Sequence, residues 1–377
     1  MYGQLKRRYS RLQVKHDQAH DEQGRLQSKV SELSDNNRKL KDTVRDRESQ
    51  ILQLRPYETD FKRYDAQMDF RDLVSSIDVW VEKWTGKFID DKQFVEEWLT
   101  GLSHFTPAIA RFQQFLRSND DLYQAVGYPD SDLQILSAFI LRFVWQGAFE
   151  RIPRGDTSLG GVITLLKRIE LTMSRCTRPA LDMSSIHSWR GQAYHAIFSD
   201  SSYPEVRRAC IDILTSELAE MLQFIPPSSL KVGFVQSISS QIVEPCFDLY
   251  EKCLQTHEDY YIDITKPGLL GRLDSVDKML QTLRSNDIDC RNVAKGHAIF
   301  RMDKLKPETT TEKLKQQLHF ICSIRPALKV REWQNTNGRE ETLIKEITLI
   351  AWDPDRLQTG NTDKLKGETW LSRVCAD

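Results

Sequence analysis

The 377-residue sequence lacks any long apolar run. Its greasiest stretch, residues 133–149, is interrupted by Gln134, Ser137, Arg142 and Gln146, so no bilayer-spanning helix is expected. There is no apolar h-region behind the basic start and no Asn-x-Ser/Thr acceptor. The seven cysteines (176, 210, 246, 253, 290, 322 and 375) are odd in number and never spaced as CxxC, which argues against a disulfide framework or a zinc ribbon. These absences point to an intracellular protein, cytoplasmic or nuclear. Charge of one sign is lacking too: 53 Lys+Arg face 54 Asp+Glu, a nearly neutral balance.

What is present begins with an unbroken heptad register. Position d holds Leu5, Leu12, Ala19, Leu26, Leu33, Leu40, Arg47 and Leu54, and position a holds Tyr2, Tyr9, His16, Gln23, Val30, Asn37, Val44 and Ile51. β-Branched Val30, Val44 and Ile51 at a with Leu26, Leu33, Leu40 and Leu54 at d match the packing of parallel two-stranded coils, and Asn37 at a fixes register by pairing with its symmetry mate. Pro56 ends the helix. The g-to-e′ pairs, such as Lys15 with His20, neither attract nor repel clearly, so a homodimer is expected. The alternative is one long charged helix, monomeric or folded back, because Gly24, Gln23, His16 and Arg47 weaken the seam.

Charge is uneven along the chain: +5 over residues 1–56, −7 over 57–150, −3 over 151–265 and +4 over 266–377. Lys6, Arg7, Arg8, Arg11 and Lys15 cluster at the start and could touch a phosphate-rich surface. The base-reading pattern expected ahead of a zipper is missing, and Leu5 and Leu12 already occupy the seam, so nucleic acid is not the expected partner. A solvated basic end is the plainer reading.

From Phe70 the apolar spacing reads as helices: around 70–88, 94–102, 107–116, 133–149, 159–173, 181–198, 204–224, 230–254 with a kink at Pro245, and 273–283. Residues 133–149 are apolar nearly all round and form the expected core helix, in which Arg142 needs a partner or a route to water. Thr311 could cap a helix over 312–320. Residues 344–352 fit strand and helix equally, and as a strand they would pair with 328–333 across the Asn335–Gly338 turn. The expected fold is therefore mainly α: a coiled-coil arm over 1–55, a helical bundle over 57–265, and a smaller helical or α+β region over 272–377 with room for a β-hairpin.

The stretch Asp72–Trp84, with Arg325-Pro-Ala-Leu-Lys329, Gly338 and Thr342–Trp352, resembles a group of filamentous-fungal proteins. These look like a variable coiled-coil segment followed by a helical C-terminal region. The resemblance covers residues 57–352 and implies no assigned activity, substrate or catalytic residue. Members of that group begin with a long disordered segment, which leaves open whether Met1 is the true start.

No chemical constellation is complete. Cys246, Cys253 and His257 share a helix face, but residues seven apart sit about 10 Å apart along the axis and do not easily share one ion. Gly155–Gly161 precedes a helix, yet Gly161-Val162 stands where a P-loop needs Lys-Ser/Thr, so Thr157 or Ser158 reads as an N-cap. Asp353, Asp355, Asn361 and Asp363 make a polar loop in which Leu357 stands where calcium would want an oxygen ligand. His187, Arg190, Tyr194 and His195 could line a pocket, with Ser184 or Ser185 near a neutral histidine, but no G-x-S-x-G or HExxH accompanies them. No catalytic residue, metal or cofactor is assigned. The expected function is that of a coiled-coil homodimer whose helical body binds another protein, with an enzyme near His187/His195 or an anion-surface binder as alternatives.

Overall fold

The computed structural model describes residues 2–53, 59–151, 158–176, 183–225, 231–264, 283, 288–305, 314, 317–334, 337–352 and 362–376. Two compact units result, Met1–Pro56 and Tyr57–Asp377. The fold is mainly helical, with β-strands in two sheets in the C-terminal half. Among the described residues no helix is long and apolar enough to cross a membrane.

The first unit is one helix, α1 (Tyr2–Gln53). In the second unit, α2 (Arg63–Thr85) starts where the Asp65 carboxylate accepts the Lys62 N–H at 2.9 Å, and it buries Phe70, Leu73, Val74, Ile77, Trp80 and Val81 along one face. After α3 (Lys87–Asp90), α4 (Lys92–Thr100), α5 (Thr106–Ser118) and α6 (Asp120–Ala125) comes α7 (Asp132–Trp145), buried from Ile135 to Trp145. A π-turn, Gln146–Arg151, extends it. Arg142 within α7 finds its partner in Asp121 of α6: Nη1 donates to Oδ1 at 2.8 Å and Nη2 to Oδ2 at 2.6 Å.

Helices α8 (Ser158–Cys176), α9 (Met183–Phe198) and α10 (Tyr203–Met221) follow. The helix expected over 230–254 is α11 (Lys231–Ile238), a π-turn at Ser239–Val243, and α12 (Glu244–Leu254). Pro245 sits in the first turn of α12, where its missing N–H is tolerated, and the wide turn just before it takes up the irregularity. Trp80 donates to Ser237 Oγ at 2.8 Å and Trp98 to the Phe224 carbonyl at 2.7 Å, so these rings belong to the core. Among the described residues no tryptophan is exposed.

The strands correct three expectations. Sheet one has the order β1-β5-β6, from β1 (Asp259–Asp263), β5 (Ala327–Gln334) and β6 (Asn337–Ile344). Sheet two has the order β3-β2-β7-β4, from β3 (Ala298–Phe300), β2 (Ile288–Asn292), β7 (Glu346–Ala351) and β4 (His319–Arg325). First, residues 328–333 pair with β6, while 346–351 form a central strand of the other sheet, parallel to β2 and antiparallel to β4. A strand buried on both faces reads as a continuous apolar run, and Ile347–Ala351 is one apart from Thr348. Second, the chain over 319–325 is strand, where a helix to Phe320 was expected; Ile321, Cys322, Ser323 and Ile324 are all buried there.

Third, the division at 265–272 does not separate two bodies. β1, before it, pairs along its length with β5, after it, and one apolar core runs from Phe70 and Phe139 to Val330 and Leu349. The chain passes from sheet two to sheet one at Pro326, which has no N–H for a ladder, and returns at Lys345. The helix expected over 273–283 lies outside the described residues except at Leu283.

Candidate functional site

Along α1 the heptad side chains stand in water: Leu26 is 57% exposed, Val30 66%, Leu33 62%, Leu40 65% and Val44 54%. Asn37 and Lys15 are exposed as well. The side chains of Lys6, Arg7, Arg8, Arg11 and Ile51, and all of Leu54, lie outside the described residues. These apolar side chains recur at an average spacing of 3.5 residues along the exposed helix.

The candidate pocket on α9 is a packed joint. His187 and Arg190, one turn apart, face the turn between α12 and β1. His187 Nε2 lies 3.4 Å from Glu170 Oε1 and 3.6 Å from Asp259 Oδ2, and Nδ1 lies 3.3 Å from the His257 carbonyl. Arg190 pairs with Asp259 and donates to the Glu258 carbonyl at 3.0 Å and the Thr256 carbonyl at 3.3 Å. Gly191 lets this turn approach, since a Cβ there would sit 2.6 Å from the Gln255 carbonyl oxygen.

Burial, followed by the Arg190 charge, pushes the His187 pKa down to about 4, and burial raises that of Glu170. Nδ1–H donates to the His257 carbonyl, so a neutral His187 presents a lone pair to a carboxyl that holds its proton more tightly than usual. His187 is 1% exposed and far below the pKa of a base poised near neutrality. Tyr194 leaves this group to stack on Phe198, with centroids 5.8 Å apart, and His195 faces Gln255 Oε1 at 3.3 Å. Ser185 is exposed, and the Ser184 side chain lies outside the described residues. The arrangement pairs charge and holds the turn that follows α12; it presents no activated nucleophile among the described residues.

Cys246 and Cys253 are buried while His257 is exposed, so the structure does not bring the three together. Burial pushes the Cys246 thiol up to about 12, which keeps it protonated. Among the described residues no group of three or more His, Cys, Asp or Glu is placed to hold a metal ion. Gly155 and Thr157, with Asp353, Asp355 and Asn361, lie outside the described residues.

Sequence reasoning missed a cavity of about 680 Å³ on sheet two. β3 pairs with β2 only from Cys290 to Asn292, and at Arg301 the chain turns into a short 3-10 helix, Met302–Lys304. The strands therefore part at Ile288 and Asp289, and the cavity fills the wedge. Among the described residues three cations line it, Arg291, Arg301 and Lys345, against one acid, Asp289. Ile299, Ile347 and Phe300 supply apolar wall, with Ile299 66% exposed. The +4 charge of residues 266–377 was the only sequence signal, and it could not say which bases converge.

No family model, curated protein or solved structure matches this chain.

Proposed function

We propose that the protein is a parallel coiled-coil homodimer whose arm joins two folded bodies for interaction with a further protein. The observation that carries this reading is the exposed row Leu26, Val30, Leu33, Leu40 and Val44 on a 52-residue helix. Its fitting occupant is a second copy of the same segment. β-Branched residues at a with leucine at d favour two parallel strands, and Asn37 is satisfied by its own mate when the strands are in register. Burying these five side chains in each of two chains, at about 1.5 kcal/mol apiece, supplies on the order of 15 kcal/mol gross. That is comparable with the roughly 4–15 kcal/mol that association costs in lost freedom, so flanking heptads and the Asn37 pair bear on the final affinity.

Light scattering over a range of concentrations tests the proposal, on the full chain and on residues 57–377. The expected result is twice the chain mass for the first and a single-chain mass for the second. A single-chain mass for both would overturn it.

A further inference from the structure

The cavity on sheet two has the size and the chemistry of a small-molecule site. Its volume of about 680 Å³ falls within the roughly 300–1,000 Å³ typical of such sites. Its charge is opposite to that of its surroundings: residues 57–377 sum to −6, yet among the described residues the wedge holds Arg291, Arg301 and Lys345 against Asp289. Within the described residues none of the three cations is engaged in an ion pair or a side-chain hydrogen bond. Elsewhere on the body cations are spent on structure: Arg142 on Asp121, Arg63 on Glu258, Glu332 and Glu341, and Arg325 on Asp78. Arg325 lines a smaller neighbouring cavity of about 200 Å³ that also touches Arg291.

Strand register explains the convergence. Arg291 is paired with Ile299 across β2 and β3, and Asp289 with Ile347 across β2 and β7, so these four side chains share one face of the sheet. Lys345 and Arg301, each two residues from a member of that set, close the two ends. Three cations so held, on both sides of an isoleucine wall, call for a ligand with a compact multiple negative charge and an apolar body.

We infer that this cavity binds a phosphate monoester carrying an apolar or aromatic group. Among the described residues two unit charges remain after Asp289 is set against the three cations, which suits a dianion better than a carboxylate, and guanidinium forks match phosphate oxygens two at a time. Ile299 and Ile347 cover the organic part, and Asp289 can accept from a hydroxyl next to the phosphate. A free ester and a phosphorylated lipid headgroup share this chemistry.

The test is calorimetric titration of the full chain at low salt with phenyl phosphate, inorganic phosphate and phenol. Phenyl phosphate should bind saturably and at least tenfold more tightly than either fragment. Arg301→Gln and Lys345→Gln should each weaken it about tenfold, and Ile299→Ser should erase its advantage over inorganic phosphate. Arg301 and Ile299 are exposed, so these two losses are not losses of fold. In parallel, vesicles of phosphatidylcholine with and without a phosphoinositide monophosphate are sedimented with the chain. Capture lost in the same variants would identify a headgroup as the source of the phosphate, and absence of capture beside tight phenyl phosphate binding would identify a free ester. No saturable binding to any phosphate probe, or binding unchanged in the Arg301→Gln, Lys345→Gln double variant, would overturn the inference.

Discussion

Removing the Asp121 carboxylate should be among the most damaging single changes to the body. Arg142 is 2% exposed and holds both carboxylate oxygens at 2.6 and 2.8 Å, while its Nη2 also donates to the Ser323 carbonyl on β4 at 2.7 Å. The triad therefore ties α6, α7 and sheet two together inside the core. Asp121→Leu would leave a buried guanidinium with one neutral acceptor, a loss of about 3–5 kcal/mol. Arg142→Met would leave a buried carboxylate near the Ser323 N–H, at a similar cost. In the Asp121→Leu, Arg142→Met double variant neither charge remains, and the chief loss is the unsatisfied Ser323 carbonyl, about 1–3 kcal/mol. Independent effects would total about 6–10 kcal/mol, so the coupling should be on the order of 5 kcal/mol. Urea unfolding followed by tryptophan fluorescence measures all three variants. Single variants that lose less than about 1 kcal/mol, or a double variant as damaged as the sum, would refute the reasoning.

Two further predictions concern pH. Burial raises the Asp132 pKa to about 6, against hydrogen bonds from the Leu371 N–H at 3.1 Å and the Thr369 hydroxyl at 2.8 Å. The fold thus favours its protonated form, and its contribution to stability falls as pH rises from about 4 to 6, by about 3 kcal/mol. Asp132→Asn, still able to accept from Leu371, should flatten that slope in unfolding curves taken across the range. His187 has the opposite sign: with its pKa lowered to about 4 from 6.5, its contribution is present above 6.5 and is lost as pH falls toward 4. His187→Gln should therefore be less sensitive to acid than the natural chain, and an unchanged profile would count against a buried neutral imidazole. On the arm, Leu33→Lys with Leu40→Lys should yield single chains by sedimentation, since both leucines are exposed on α1 and lie in the proposed dimer seam. A sedimentation coefficient unaltered by the two lysines would contradict that role.

The helical part of the molecule was largely legible from local pattern. The apolar spacing of α2 and the all-round apolar character of α7 need no distant information, whereas the lone arginine in α7 called for a partner or a route to water without saying which, and the acid that meets it comes from α6. The strands were not legible for a physical reason. Residues 288–292 read Ile-Asp-Cys-Arg-Asn, with no β signal of their own, and they become a strand by parallel pairing with residues 346–350. β1 likewise depends on β5, some seventy residues on. Tertiary pairing also turned His319 and Phe320, expected at the end of a helix, into the start of β4. The α9 group was found in part, because helical spacing brings His187 and Arg190 together, but Glu170 and Asp259 come from other elements. The wedge cations were invisible, since Arg291, Arg301 and Lys345 meet only once the sheet is assembled.

The central claim is that α1 meets a second copy of itself, parallel and in register. Asn37→Cys tests it most directly, because equivalent a positions in such a coil lie close enough for a disulfide. Mild oxidation of this variant should convert the chain to a covalent dimer on a non-reducing gel, while the natural chain and Asn37→Cys carrying Leu33→Lys and Leu40→Lys should stay single. An Asn37→Cys chain that remains single under oxidation would contradict the parallel homodimer.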